Sequence, residues 1–321
     1  MKICYLNCSN LFGGIENIIL QTLNELCKDN DVCIILPKGA KFLDKFDKRV
    51  KIYEYKSYDK RYNIFLYLEL ARIITKYDIL HTHGAKSSQI GYILSKFMNF
   101  KFIATKHNGR KGNIFNKIKN VISVSKSVAN TIKNKSTVLY FGIKSKNIIQ
   151  NLPEIFTITA IGRLDYIKGF DILIKEAANL EFDFRLNIYG AGKEQETLQN
   201  MIKNLHLENK VYILGFCENV EEVLLNSHIQ IISSRNEGLP LTLMEGIFYS
   251  NLLISTNVGG INEILDSQFL FKQENLSEFL NHIYKNYDNY KKDFIQKESK
   301  FKDILSFDNY ILHLKKIYKE I

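Results

Sequence analysis

Short apolar runs rich in β-branched residues alternate with amphipathic segments along the whole chain. The apolar runs predict strands, and apolar residues at helical spacing, as in IENIILQTLNELCK (15–28), predict the helices that follow them. Strands that alternate with helices predict parallel sheets, and strands that are apolar throughout predict sheets covered on both faces. The predicted strands are KICYLN (2–7), DVCIIL (31–36), YDILHTH (77–83), FIATKH (102–107), VISVS (121–125), IFTITAIG (155–162), FRLNIYG (184–190), VYILG (211–215), HIQIIS (228–233) and NLLIST (251–256).

These strands fall into two sets of about 150 residues each, which predicts an α/β fold with two Rossmann-like domains. The segment between them, KSKNIIQNLPEI (144–155), is polar and carries a proline, as linkers often do. We therefore place the first domain at residues 1–148 and the second at residues 149–305. The tail, SFDNYILHLKKIYKEI (306–321), has the pattern of an amphipathic helix.

The composition is typical of a soluble globular protein, with 45% hydrophobic and 24% charged residues. The first apolar run, ICYL, is only as long as a strand, and no run approaches the ~18 apolar residues of a membrane span. We therefore expect a cytoplasmic protein. The five cysteines form no CxxC pair and no cluster with zinc spacing, so we expect reduced thiols and no metal site.

Positive charge is concentrated in the first half of the chain. Residues 1–150 contain 26 Lys and Arg against 10 Asp and Glu, and no acidic residue lies between Asp78 and Glu154. A solvated basic face, a surface for phosphates or anionic lipid headgroups, and a nucleic-acid surface are all consistent with this excess. No recognisable nucleic-acid module carries the basic residues, so we expect no nucleic-acid partner.

Candidate ligand-binding residues follow the predicted strands, because open α/β sheets bind ligands beyond the carboxyl ends of their strands. Gly13 and Gly14 open the first helix, where backbone can approach an anion closely, although a plain turn explains two glycines equally well. The pattern is not GxGxxG, so a nicotinamide cofactor is not indicated. His81, His83 and His107 follow two strands and are candidates for a binding crevice, for metal ligands or for structural roles.

In the second half, GRLDYIKG (162–169) places Arg163 and Lys168 between a strand and a helix. Arginine provides a bidentate fork and lysine a point charge, which together with helix-start amides suit a diphosphate. The alternative interpretation is a solvated basic loop.

The segment SRNEGLPLTLMEG (234–246) follows the apolar strand HIQIIS and carries two glutamates. Its proline predicts a helix from about residue 240 that buries Leu243 and Phe248 and directs free amides toward a phosphate. Carboxylates accept two hydrogen bonds each, so Glu237 and Glu245 suit the vicinal hydroxyls of a sugar. Acids that complement the helix dipole are the alternative, which explains Glu237 better than Glu245.

Taken together, these segments resemble the retaining glycosyltransferases of family 4, a group 1 type of bacterial glycosyltransferase with the GT-B fold. The resemblance implies two Rossmann-like domains that face each other across a cleft, with the terminal helix crossing back to the first domain. The matching segments are FGGIE (12–16), YDILHTHG (77–84), TKHNG (105–109), ISVSKSV (122–128), GRLDYIKGFDILIKEA (162–177), LNIYGAGKEQETL (186–198), LGF (214–216), EGLPLTLMEG (237–246) and STNVGGINEIL (255–265).

The resemblance also implies a role for individual positions. Glu245 would hold the nucleotide ribose, Glu237 the hydroxyls of the donor sugar, and His107 would lie beside the reacting centre. The expected donor-binding residues are Gly14, Arg163, Lys168, Gly190, Phe216, Leu241, Thr242 and Glu245, the catalytic residues are His107 and Glu237, and the acceptor-binding residues are Glu16 and His83.

The activity implied is transfer of a hexose or N-acetylhexosamine, with retention, from a nucleotide diphosphate sugar to a glycan. Family habit favours a UDP-sugar. Neither a metal nor another cofactor is expected, since Arg163, Lys168 and helix-end amides would stabilise the leaving diphosphate.

Two departures from the family pattern concern the first domain. Phe141 stands where relatives commonly have Asn, and the chain is short for the family. We expect an acceptor at a membrane surface, such as a lipid-linked oligosaccharide or a lipopolysaccharide core. The basic first half, with KFLDKFDKRVKIYEYK (41–56) as candidate contact, would bring the protein to the inner face of the cell membrane.

Alternative functions are also consistent with parts of the sequence. A nucleotide-sugar epimerase would share the fold, whereas a sugar phosphorylase typically needs a lysine-bound pyridoxal phosphate and a longer chain. A non-catalytic anion- or nucleic-acid-binding protein would use the basic half and leave the glutamate pair without a role. A degenerate partner of another transferase is disfavoured by the retained Arg163, Lys168, Glu237 and Glu245.

Overall fold

The computed structural model of the chain describes residues 1–57, 60, 62–110 and 112–321. These residues form two compact units. The N-terminal unit comprises residues 1–141 together with 308–321, and the C-terminal unit comprises residues 142–307. The boundaries between the units therefore lie at 141/142 and 307/308, whereas the sequence analysis placed these boundaries at 148/149 and 305/306.

Each unit is built on one parallel sheet. The strands are β1 (Lys2–Asn7), β2 (Asp31–Pro37), β3 (Lys51–Tyr55), β4 (Ile79–His83), β5 (Lys101–Lys106), β6 (Asn120–Ser123), β7 (Thr137–Val138), β8 (Phe156–Ile161), β9 (Phe184–Tyr189), β10 (Val211–Ile213), β11 (Ile229–Ile232), β12 (Leu253–Thr256) and β13 (Leu270–Phe271). The sheet orders are β3-β2-β1-β4-β5-β6-β7 and β10-β9-β8-β11-β12-β13, and the named neighbouring strands pair in parallel. The predicted α/β fold with two Rossmann-like domains is confirmed.

Helices connect the strands and cover the sheets. They are α1 (Gly14–Leu26), α2 (Ile64–Ile74), α3 (Ala85–Leu94), α4 (Lys126–Ala129), α5 (Phe170–Ala177), α6 (Gln195–Asn204), α7 (Val220–Leu225), α8 (Leu241–Tyr249), α9 (Leu276–Lys285), α10 (Tyr287–Ile304) and α11 (Phe307–Glu320). Within the described ranges, none of these helices combines the length and the apolar character needed to cross a membrane.

Some elements differ from the sequence-based expectation. The helix expected after β5 is only a 3-10 turn, Asn113–Lys117, before β6 begins. The strands β3, β7 and β13 were not predicted, because β7 and β13 have two residues each and β3 contains a lysine and a glutamate among only five residues. Charged residues fit the edge position of β3, where they discourage pairing with a further strand.

In both sheets the direction in which the chain adds strands reverses once, and each reversal defines a place for ligands. In the N-terminal unit the chain runs from β1 to β2 and β3, and then returns to β4 on the other side of β1. In the C-terminal unit it runs from β8 to β9 and β10, and returns to β11 on the other side of β8. A crevice forms beyond the carboxyl ends of the two strands at such a reversal. The segments after β1, β4, β8 and β11 are therefore the places to look for chemistry.

The two faces of the N-terminal sheet differ in character. One face is apolar, and its buried residues, such as Leu6 and Leu80, pack with Leu66 and Leu70 of α2. The alternate residues of β1 and β4 include polar rings, and Tyr5 and His81 are direct cross-strand neighbours with almost no exposure. A buried face with polar rings requires hydrogen-bond partners for each of them.

Candidate functional site

The reversal of the C-terminal sheet brings together two residues that the sequence analysis singled out. Lys168 follows β8 and Glu237 follows β11, and the Lys168 Nζ donates a hydrogen bond to Glu237 Oε1 at 2.6 Å. Both side chains are largely buried, with 20% and 13% exposure. Ser234 Oγ donates to the same carboxylate oxygen at 2.7 Å. A cation and an acceptor are therefore fixed side by side at the carboxyl edge of the sheet.

Close backbone contact holds the Lys168 loop in this position. Gly169 has a φ of +67°, and a Cβ built on it would lie 2.2 Å from the carbonyl oxygen of Ser233. Ser233 Oγ in turn donates to the Lys168 carbonyl at 2.9 Å. Only glycine permits both this φ and this approach, so the residue is part of the site's construction.

Arg235 also holds this loop, and the sequence analysis assigned it no role. Its backbone N–H donates to the Ile167 carbonyl at 2.7 Å. Its guanidinium donates to both carboxylate oxygens of Asp171 at 2.7 Å and lies 3.9 Å from the Tyr166 ring centroid. Arg235 lies in the stretch SRNEGLPLTLMEG, but no local pattern reveals its partners, because they lie more than 60 residues away in sequence.

Arg163 is more exposed than Lys168. Its side chain is 71% exposed, and its Nε donates to Asp165 Oδ2 at 2.6 Å. The other Asp165 oxygen is buried and has no hydrogen-bond partner among the described residues. Because an exposed ion pair is weak, the guanidinium is available to an incoming anion.

The start of α8 supplies backbone donors. Pro240 is the N-cap, no side chain caps the helix, and the first amide that bonds backward is that of Leu243, to the Pro240 carbonyl at 3.1 Å. The amides of Leu241 and Thr242 precede it, as a phosphate-binding helix start requires. The helix begins at Leu241, which confirms the predicted start at about residue 240. Phe248, predicted to be buried, is only partly buried because it lies on the side of α8 away from Leu243.

Glu245 lies one turn inside α8 and is partly buried. Burial raises the pKa of Glu245 to about 7, and the nearby charge of Glu221 adds to the shift. The carboxyl group is therefore unusually costly to ionise for a glutamate, and perturbed pKa values of this kind are common at functional sites.

Glu245→Gln should remove a pH dependence of stability. Between pH 4.5 and about pH 7 the native carboxyl binds a proton that the unfolded chain releases, so stability falls as pH rises through this window. At pH 8 the variant should be more stable than wild type by on the order of 2 kcal/mol, and near pH 4.5 the two should match. Urea unfolding at both pH values measures the difference. Glu222→Gln, an exposed change on α7, is the control, and an equal difference at both pH values would contradict the assignment.

Gly190 and Phe216 follow the neighbouring strands β9 and β10. Gly190 has a φ of +150°, and its Cβ would lie 1.8 Å from the Gly162 carbonyl oxygen. Its amide donates to the Gly215 carbonyl at 2.6 Å. Phe216 is 62% exposed at this edge, so its ring is free to contact a ligand. The donor-binding role of both positions stays a prediction.

In the N-terminal unit, α1 begins at Gly14, which is exposed, and Gly13 is its N-cap. Glu16 in the first turn is buried and accepts a hydrogen bond from Asn7 Nδ2 at 3.0 Å. Asn7 is the cross-strand neighbour of His83. The structure therefore joins the segments after β1 and β4, as the reversal of the sheet predicts.

His83 and His107 form a pair. Nδ1 of His83 lies 3.0 Å from Nε2 of His107, and the rings stack with centroids 5.2 Å apart. Burial lowers the pKa of His107 to about 4 and that of His83 well below its usual range, so both rings are neutral at pH 7. His83 Nε2 is buried and has no hydrogen-bond partner within the described chain. A neutral histidine at this position is a hydrogen-bonding group rather than a charge.

Two pairs of predicted site residues are thus bonded, one pair in each unit. Lys168 bonds Glu237 in the C-terminal unit and His83 bonds His107 in the N-terminal unit, whereas Arg163 bonds Asp165. Their individual roles stay predictions. Among residues 1–57, 60, 62–110 and 112–321, no group of three or more His, Cys, Asp or Glu is arranged as metal ligands.

Comparisons with known proteins cover both units. The family model described as Glycosyltransferase Family 4 matches residues 12–143, and that described as Glycosyl transferases group 1 matches residues 144–301. An uncharacterized glycosyltransferase of Methanocaldococcus jannaschii is 26% identical over 269 residues, which is 76% of each protein.

Two further similarities span most of the chain. The GalNAc-α-(1→4)-GalNAc-α-(1→3)-diNAcBac-PP-undecaprenol α-1,4-N-acetyl-D-galactosaminyltransferase of Campylobacter jejuni is 24% identical over 290 residues, 80% of this chain and 79% of that protein. The crystal structure of Anabaena HepE in complex with UDP and glucose matches with a TM-score of 0.88 at 16% identity, covering 100% of both chains. The likeness to HepE shows a shared fold.

Proposed function

This chain belongs to the family 4, group 1 glycosyltransferases with the GT-B fold, and we propose that it transfers a hexose or N-acetylhexosamine from a UDP-sugar to a glycan acceptor. The observation that carries the proposal is the Lys168–Glu237 pair beside the start of α8. It places a cation, backbone amides and a carboxylate at one sheet edge, which are the groups that a sugar diphosphate requires. The UDP in the HepE complex supports the choice of nucleotide.

In the proposed reaction the protein stabilises the leaving diphosphate without a resident metal. Lys168, the guanidinium of Arg163 and the amides of Leu241 and Thr242 supply the positive charge and the donors. Such groups act as an electrostatic catalyst because they are fixed before the reaction begins. We propose retention at the anomeric carbon, with a leaving-phosphate oxygen accepting the proton of the acceptor hydroxyl on the same face.

A binding screen followed by a product assay tests this function. UDP, GDP, ADP and their sugars are first compared by thermal shift, since a ligand of the folded state raises the unfolding temperature. A UDP-sugar that binds is then incubated with candidate acceptors, and NMR of the product reports the anomeric configuration. Binding of no nucleotide would refute the proposal. Conversion of the sugar without acceptor would instead identify an epimerase, and an inverted product would refute retention.

We further propose that the acceptor lies at a membrane surface, where the N-terminal unit would dock peripherally. The undecaprenol-linked substrate in the name of the Campylobacter jejuni relative supports this class of acceptor. In the segment 41–56, Phe42 and Phe46 are buried, and five lysines are exposed together with Asp44, Arg49 and Glu54. These lysines suit anionic headgroups, but the segment offers no apolar contact from its phenylalanines.

Helix α2 offers the apolar contact. Ile64, Phe65 and Leu68 are 66%, 71% and 53% exposed on its outward side, and Tyr62 just before it is 95% exposed. The opposite side of α2 is packed in the core. An exposed apolar helix face beside basic residues is typical of a helix lying at a membrane interface.

The double substitution Phe65→Asp and Leu68→Asp should weaken binding to anionic vesicles at least tenfold, because burial of two large side chains contributes about 3 kcal/mol or more. Flotation with phosphatidylglycerol vesicles at low salt measures it. Phe97→Asp, which changes an 85% exposed phenylalanine elsewhere in the same unit, is the control. Equal loss in both variants, or no flotation of wild type, would count against α2 as the docking helix.

A further inference from the structure

A chain of buried hydrogen bonds links the last helix to the centre of the N-terminal sheet. Tyr318 of α11 is 0% exposed, and its hydroxyl lies 2.6 Å from His81 Nδ1 and 2.6 Å from the Tyr5 hydroxyl. The other nitrogen of His81, Nε2, lies 2.7 Å from Thr105 Oγ1. Both ring nitrogens of His81 are therefore bonded, and the ring has no freedom to turn without breaking a buried bond.

The rings that Tyr318 holds enclose His83. The Tyr5 ring stacks on His83 at a centroid distance of 5.0 Å, and the His81 ring lies 4.4 Å from His83. His83 has no other anchor on its Nε2 among the described residues. Its orientation is thus set by its two ring neighbours and by the bond to His107.

The hydrogen bond between His83 and His107 couples the proton positions of the two rings. Because both rings are neutral at pH 7, one of His83 Nδ1 and His107 Nε2 donates and the other accepts. The tautomer of one ring therefore fixes the tautomer of the other. A rotation of His83 would break this bond, and the tautomer of His107 would then no longer depend on that of His83.

We propose that Tyr318 is a positioning residue for His107. Its hydroxyl holds His81 and Tyr5, these two rings hold His83, and the bond from His83 orients the ring of His107 and couples its proton position to that of His83. The inference rests on the proposed function in one respect only, which is that His107 lies beside the reacting centre. The last helix of the chain would then complete the reacting centre of the N-terminal unit, although no atom of Tyr318 touches the substrate.

The test is Tyr318→Phe, which removes one hydroxyl and keeps the ring. Long-range ¹H–¹⁵N spectra distinguish the two neutral tautomers of a histidine, and a His107→Gln spectrum assigns the signal among the seven histidines. We expect the ratio of the two His107 tautomers in Tyr318→Phe to differ from that of wild type, because His107 is then no longer coupled to a fixed His83 ring. We also expect kcat to fall about tenfold, with the donor KM changed less than about twofold, because only the reacting geometry is disturbed.

Tyr310→Phe is the matched control. Tyr310 lies on the same helix, is 7% exposed, and its hydroxyl lies 3.3 Å from Thr22 Oγ1. The same chemical change there should leave the His107 spectrum and kcat unaltered. If both variants disturb His107 equally, the effect is general loosening of α11 and the proposal is overturned.

The remaining outcomes also decide the question. A folded Tyr318→Phe protein with the wild-type His107 spectrum overturns the proposal, whatever its activity. If Tyr318→Phe does not fold, His81→Asn removes the ring through which Tyr318 would act on His83, and an unchanged His107 spectrum there overturns it equally. If wild type transfers no sugar, the proposed function fails, whereas the spectra still decide whether Tyr318 positions His107.

Discussion

Replacing Lys168 with alanine should lower kcat/KM for the sugar donor by about 10²–10³-fold, the usual cost of removing one preorganised donor to a developing negative charge. Lys168 is suited to this role because Glu237 and the Ser233 side chain fix its end and its backbone before any ligand arrives. Removing the ammonium also leaves the Glu237 carboxylate with one protein partner fewer, so its contact with the sugar should loosen. Steady-state kinetics with the donor identified by thermal shift measure the effect.

The control for Lys168→Ala is Lys175→Ala, which removes the same charge from an exposed position on α5. Both variants lower the net charge of the unit by one, so a long-range electrostatic effect on nucleotide binding would appear in both. A loss confined to Lys168→Ala assigns the effect to the site. Transfer within threefold of wild type in Lys168→Ala would show that the cation is not part of the donor site.

Replacing Gly169 with alanine should destabilise the C-terminal unit by about 3 kcal/mol, the sum of left-handed backbone strain and overpacking. The new Cβ would lie 2.2 Å from the Ser233 carbonyl, so the Lys168 loop must move away from the strand that leads to Glu237. Stability and donor binding should therefore fall together. Urea unfolding and nucleotide titration of the same preparation measure both.

Gly215→Ala separates the two causes. Gly215 also has a positive φ, +75°, but a Cβ there meets no atom within 4 Å. The strain alone should cost about 1 kcal/mol, since L-residues adopt this region at a cost of roughly 1–2 kcal/mol. Similar losses in the two variants would mean that the contact with Ser233 relaxes easily and does not constrain the loop.

The hydrophobic pattern was sufficient to predict the architecture. Apolar runs such as CYL in β1 and VCIIL in β2 are buried on both sides, so they specify parallel strands under helices. Since parallel strands end at a common edge, the pattern also placed the polar segments after each strand where ligands bind. Short or charged strands escaped this reasoning: β3 reads KIYEY, and β7 and β13 have only two residues each.

The sequence indicated candidate site residues but not the contacts that these residues make. Lys168 and Glu237 were assigned to different parts of a donor, and the structure bonds them to each other across 69 positions of sequence. Arg235 lies in the stretch SRNEGLPLTLMEG and was given no role from the sequence, and the structure bonds it to Asp171. His83 was assigned to the acceptor and His107 to the reacting centre, and the structure bonds the two rings to each other.

The sequence by itself determined most of the strands and helices, that the sheets are parallel, and at which edge the polar residues gather, because these depend on the spacing of apolar residues along the chain. Only the tertiary structure decided which polar side chains meet. Tyr318 and His81 are 237 positions apart, and Arg235 and Asp171 are 64 apart. No local pattern encodes such pairs, since a buried polar group must find whichever partner the packing of distant elements brings within hydrogen-bond distance.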